Sequence, residues 1–169
     1  QLPENIMGRH NNLNAASAIA VCNQLKIPIK NQIEHIKNFR GVKKRLELLG
    51  EINGKIIYED FAHHPTSIKL SIDSIIEKYK KKRLLTIFLP GSNSMHLGVH
   101  NNKLINSLRK SNNVLIITKI TGFKSLCKNN NKINVIESES QIGQYLNINN
   151  NIDVILILSN KNTDDVKKY

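Results

Sequence analysis

"KIIYEDFAHHPTSIKLSIDSII" runs from Lys55 to Ile76 and changes period in its middle. Residues 55–61 carry the β-branched and aromatic side chains Ile56, Ile57, Tyr58 and Phe61, as suits a strand. Pro65 suits the first turn of a helix, and Ile68, Ile72, Ile75, Ile76 and Tyr79 continue as a helical stripe. The unit is strand, turn, helix. Just before it, Asn53-Gly54 is the pair that favours a type I′ hairpin turn, so 45–52 is read as the partner strand. Downstream, 84–89, 114–118, 133–137 and 152–158 are further apolar strands, with helices expected near 101–110 and 139–146. Apolar strands alternating with helices predict an α/β fold, a doubly wound, mostly parallel sheet covered on both faces.

Upstream the period is helical throughout. Residues 11–25 predict a helix with Leu13, Ala16, Ala20 and either Cys22 or Leu25 on its apolar face. A second is expected at 30–39, with Ile33, Ile36 and Phe39 turned inward and Gly41 after its end. The chain therefore divides into a helical segment, 1–40, and an α/β domain, 41–169, joined near Gly41.

A length of 169 residues suffices for one core of ordinary size. No apolar run approaches the ~20 residues of a membrane span, and the first ten residues lack the cationic lead and apolar stretch of a signal peptide. Cys22 and Cys127 have no metal-type spacing and read as small apolar residues. These features predict a cytoplasmic protein that does not engage a membrane. The net charge of +12 admits a nucleic-acid partner. The lysines are dispersed, however, in a chain rich in Lys, Asn and Ile, the mark of compositional drift. Aromatic residues, at 5%, offer no stacking platform, so no nucleic acid is expected.

Open parallel sheets bind ligands outside the carboxyl ends of their strands. Two loops are expected there, "EDFAHHPT" (59–66) and "PGSNSMHLG" (90–98). Histidines at a strand-to-helix turn can donate to an anion, while the plain alternative for His63 and His64 is one helix cap and one exposed ring. Asp60 could hold a ribose or a metal-bound water, or act as a local turn acid. There is no Gly-rich phosphate loop with a lysine and no dinucleotide fingerprint. Ser92, His63 and Asp60 could be drawn as a triad, but no nucleophile elbow supports one.

Four stretches, "GRHNNLNAASAIAV" (8–21), "FRGVKKRLELLG" (39–50), "DFAHHPTSI" (60–68) and "SNSMHLG" (92–98), follow one another in an order and spacing that resembles the Mur ligases. The match is nearest the branch that joins UDP-N-acetylmuramate to the murein tripeptide L-alanyl-γ-D-glutamyl-meso-diaminopimelate in peptidoglycan recycling. The resemblance implies a Rossmann-like C-terminal domain preceded by the last helices of a central ATPase domain. The N-terminal and central domains would lie outside this chain. It implies ATP and Mg²⁺ as cofactors, with the metal ligands in the central domain, and an acyl-phosphate route. It places Asn11, Asn14, Arg45 and Asp60 toward ATP, and His63, His64, Ser92 and Asn93 toward the incoming peptide. No catalytic or metal-binding residue is expected within 1–169, and the fragment alone should not turn over ATP.

Two departures from the family pattern stand at the same mouth. Leu89 and Gly91 replace an acid and an arginine, with Lys43, Lys44 or Lys119 as possible substitutes, and "SNKN" (159–162) lacks the family's glycines. If the site is merely eroded, Gly91→Arg should raise ligation. Other readings are an L-alanine-adding ligase, a non-catalytic muropeptide-binding module and a nucleic-acid binder.

Overall fold

The computed structural model describes residues 3, 6–91, 101–128 and 130–169. Two helices come first, α1 (Arg9–Gln24) and α2 (Ile29–Asn38). The α/β part follows as β1 (Glu47–Ile52), β2 (Lys55–Asp60), α3 (Pro65–Lys78), β3 (Leu84–Leu89), α4 (Asn101–Leu108), β4 (Asn113–Ile117), α5 (Thr121–Cys127), β5 (Ile133–Ile136), α6 (Ile142–Ile148) and β6 (Val154–Ser159). Short 3₁₀ turns, Glu139–Gln141 and Val166–Lys168, precede α6 and follow β6.

The six strands form one sheet in the order β1-β2-β6-β3-β4-β5. Only β1 is antiparallel, joined to β2 by the expected hairpin, with φ of 51° at Asn53 and 75° at Gly54. Those positive angles match the right-handed twist of the flanking strands. The last strand enters the middle of the sheet. β6 pairs in parallel with β2 on one side and β3 on the other, with Leu158 opposite both Asp60 and Phe88.

Every residue of β3 and β6 is buried, as expected of central strands covered on both faces. Side chains alternate between two cores. Tyr58, Phe88, Ile116 and Leu156 pack with Ile68, Ile72 and Ile75 of α3, Leu104 and Leu108 of α4, and Phe123 of α5. Ile87, Leu115, Ile155 and Ile157 pack with Ile142 of α6 and Val166. Each fully buried Leu, Ile or Phe contributes about 1.5–3 kcal/mol.

The structure adds one element to the sequence reading and corrects one expectation. The segment 121–127 is a helix that no periodic pattern announced, being only seven residues long. The first two helices do not bury their apolar faces. α1 has no buried residue, Leu13 is 60% exposed, and Ile33 of α2 and Phe39 just after it face solvent. The one buried side chain of α2 is Gln32, whose amide donates to Asn23 Oδ1 and the Ile27 carbonyl. The reason is a missing partner surface within these residues. Only Met7, just before α1, reaches the core beside α3.

Candidate functional site

Strand alternation sends the adjacent acids of β2 to opposite faces. Asp60 turns toward α3 and Glu59 toward the C-terminal turn. Asp60 is 5% exposed, and its two oxygens accept 2.7 Å hydrogen bonds from the Leu46 and Ala62 amides. Burial pushes the Asp60 carboxyl above the usual range, against those amides, the Ser71 side chain and the Arg45 charge. Glu59 pairs with Lys44 at 3.3 Å and Lys167 at 2.8 Å, and accepts from the Thr163 hydroxyl. Burial raises Glu59 too, but Lys167, Thr163 and Lys44 together outweigh it and hold the group below its ordinary value.

These acids fix the loop before β1. Lys44 and Leu46 both take left-handed backbone angles, φ 55° and 48°. Such a conformation costs an L-residue about 1–2 kcal/mol and persists only where neighbours over-determine it. Here the Lys44 amide donates to Glu47, the Leu46 amide to Asp60, and the Phe61 amide to the Lys44 carbonyl at 2.7 Å. Arg45 is held between the two strained residues. Its guanidinium stands 5.8 Å from the Phe61 ring centre, and that ring meets His63 edge-on at 5.2 Å.

The two histidines separate in role. His64 is the N-cap of α3, accepting from the Thr66 amide through Nδ1 inside a capping box with Ser67. His63 Nδ1 lies 2.9 Å from the Phe61 carbonyl and donates its proton to that oxygen. His64 is the helix cap of the plain alternative, but His63 is half-buried against Phe61 rather than an exposed ring.

The mouth therefore gathers Arg45, Phe61 and His63 at the carboxyl end of β2, with Asp60 beneath them. Asn11 and Asn14 lie elsewhere, linked to each other on α1, where Asn14 donates to Asn11 and Asn11 to the Met7 carbonyl. The start of α1 abuts Ser74, nine residues or about 13 Å of helix rise beyond Pro65. Ser92 and Asn93 lie outside the described residues.

Beyond β3, β4 and β6 a cleft of about 580 Å³ opens between Pro90, Ile117, Thr118, Lys119, Ile120, Glu137, Glu139 and Lys161. Of the candidate substitute cations, Lys119 lines this cleft. Lys44 is engaged by Glu59 and by the Lys161 carbonyl, to which it donates at 3.2 Å. Glu59 and Lys161 are the functional candidates that sequence reasoning missed. An acid inside a strand destined for burial on both faces was the available signal for Glu59. Among the described residues, no three His, Cys, Asp or Glu cluster to hold a metal, and no helix is long and apolar enough to cross a membrane.

A parallel sheet whose strand order reverses around a central final strand, with a basic mouth at the strands' carboxyl ends, defines a doubly wound ligand-binding domain. No family profile matches the chain. Individual relatives do. The chain is 33% identical over 114 residues to the UDP-N-acetylmuramate–L-alanyl-γ-D-glutamyl-meso-2,6-diaminoheptanedioate ligase of Haemophilus influenzae, covering 67% of this chain and 25% of that protein. It is 40% identical over 95 residues to the UDP-N-acetylmuramate–L-alanine ligase of Clostridium acetobutylicum, covering 56% and 20%. The UDP-N-acetylmuramate–alanine ligase structure of Thermotoga maritima superposes with a TM-score of 0.78 over 95% of this chain and 37% of its own, at 20% identity. A murein peptide ligase of Psychrobacter arcticus gives 0.66 over 90% and 34%, at 30% identity. The chain belongs to the Mur ligase family, with the fold of its C-terminal domain. The match spans 25% and 20% of the length of these two curated relatives.

Proposed function

We propose that this chain is the C-terminal portion of an ATP-dependent ligase joining UDP-N-acetylmuramate to L-alanyl-γ-D-glutamyl-meso-diaminopimelate in peptidoglycan recycling. The N-terminal and central Mur domains work with it. The observation that carries the reading is the strained 44–46 loop, which buried Asp60 and Glu47 hold so that Arg45 faces the mouth beside His63. A fixed cation at the strand ends suits the charge that develops during phosphoryl and acyl transfer.

In this reading Arg45 meets the ATP phosphates, and Asp60 acts on the ATP side by setting the loop. Asn11 and Asn14 lie toward the adenine. His63, His64, Ser92 and Asn93 approach the peptide. Mg²⁺ would neutralise phosphate charge, but the described residues do not fit it as ligands, because no three His, Cys, Asp or Glu among them come together. The metal ligands belong to the central domain. The unpartnered faces of α1 and α2 are consistent with packing against that domain.

A chimera carrying this chain in place of the C-terminal portion of the Haemophilus influenzae relative tests the reading. It should ligate the tripeptide, and Arg45→Ala should lower kcat/KM by about a hundredfold, the scale of losing one transition-state contact. A chimera that prefers free L-alanine would establish the second reading, which the 40% identity to an L-alanine ligase favours. A chimera that binds muropeptide and ligates neither would leave a non-catalytic module.

A further inference from the structure

Gly91 is where the cleft beyond β3 acquires its charge. A Cβ at this position would stand 2.4 Å from Asn160 Oδ1, 2.6 Å from Lys161 Cγ and 2.7 Å from Lys161 Cε. The Lys161 stem therefore lies across bare backbone that only glycine leaves open. Its turn is fixed from both sides. The Lys161 amide donates to Ser159 Oγ at 2.9 Å, and its carbonyl accepts from Lys44, which buried Glu59 holds. Lys161 and Lys119 line the same cleft, and neither has an ion pair among the described residues. Glu137 is taken by Lys124 and also feels the Lys119 charge, which leaves Glu139 as the carboxylate of the lining with no ion pair among the described residues. Pro90, Ile117 and Ile120 supply an apolar wall between the charges.

We propose that Lys161, seated on Gly91, is a specificity-determining residue that holds a carboxylate of a zwitterionic, aliphatic amino-acid end of the incoming peptide. Glu139 faces that end's ammonium, and the apolar wall takes the methylenes between. An L-alanine substrate has no second ammonium and carboxylate to satisfy such a lining. A 2,6-diaminoheptanedioate end, the group in the name of the Haemophilus influenzae relative, has both. The proposal rests on the ligase reading above and deepens it.

The test is a heteronuclear NMR titration of the chain with meso-2,6-diaminoheptanedioate, heptanedioate, 1,5-diaminopentane and L-alanine. The diamino diacid should bind at least about tenfold more tightly than the other three and shift Thr118, Lys119 and Lys161. Lys161→Met should weaken it about tenfold or more, the factor for losing one charged contact of ~1.4 kcal/mol. Lys161→Arg should retain it, and Gly91→Ala should weaken it by displacing the lysine. Unchanged binding in Lys161→Met, equal binding of heptanedioate or L-alanine, or no binding by the parent chain would overturn the proposal. Ligation by the chimera that is indifferent to Lys161→Met sinks this subsite and leaves the ligase reading. Binding in the cleft without ligation does the reverse.

Discussion

Glu59 and Asp60 are consecutive carboxylates that titrate in opposite directions, because strand alternation gives one cationic partners and the other mainly burial. The signs follow from linkage. Glu59 has a lowered folded value, so its stabilisation is present above the unfolded glutamate pKa and is lost as pH falls through the folded one. Asp60 has a raised folded value, so its ionised form costs stability that grows as pH rises from the unfolded aspartate pKa through the folded one. Carboxyl ¹³C titration should place Glu59 below and Asp60 above their ordinary values. Glu59→Gln should cost about 1–3 kcal/mol at neutral pH, since its lysines are partly exposed and can rehydrate. Urea unfolding should show that cost shrinking in acid. Asp60 was legible as a candidate at 58–70, but Glu59 and the division of labour between the two acids were not. That division depends on Thr163 and Lys167, more than a hundred positions away. The Gly91→Arg substitution, which should raise ligation only if the site is merely eroded, puts a side chain where Asn160 and Lys161 lie. It should not raise ligation in the chimera unless both residues move.

Among the elements, α3 owes its start to His64. Loss of an N-cap typically costs about 1 kcal/mol, so His64→Ala should lower stability by that amount and His64→Asn should restore most of it. His63→Ala should change stability by under about 0.5 kcal/mol. Equal losses at both positions, by denaturant melts, would contradict the assignment of roles. The strands, the hairpin and α3 were readable because each carries a strong local signal: apolar runs, Asn53-Gly54, and Pro65 ahead of an isoleucine stripe. The short helix α5 was not, since seven residues give fewer than two full turns of pattern. Helix α1 misled on packing. Its spacing of apolar residues says which face would be buried, and nothing about whether the covering surface lies within these residues.

Across the whole molecule, stability is uneven. Two cores meet on β3, β4 and β6, while α1 and α2 expose Leu13, Val21, Leu25, Ile33 and Phe39. Hydrogen exchange should show the slowest amides in β3 and β6, and near-unprotected amides in α1 and α2. Comparable protection in both regions would mean that the helices find a partner surface in solution. The purified chain should show no ATP turnover above background, because no phosphate loop or metal cluster is present among the described residues. The fold class was legible from the alternation of strands and helices. The insertion of β6 between β2 and β3 was not, because strand order is a property of long-range pairing.

That insertion bears on how the chain is born. A ribosome releases residues in order, and β2 and β3 can complete no ladder with each other until 154–159 have emerged. Until then, the hairpin on one side and β3–β4–β5 on the other are separate half-sheets with open apolar edges. A nascent chain stalled before Val154 should therefore be sensitive to protease and bound by chaperones, and one released past Ser159 should close in a single late step. A frameshift just before Val154 would thus be as damaging to this sheet as one before β3.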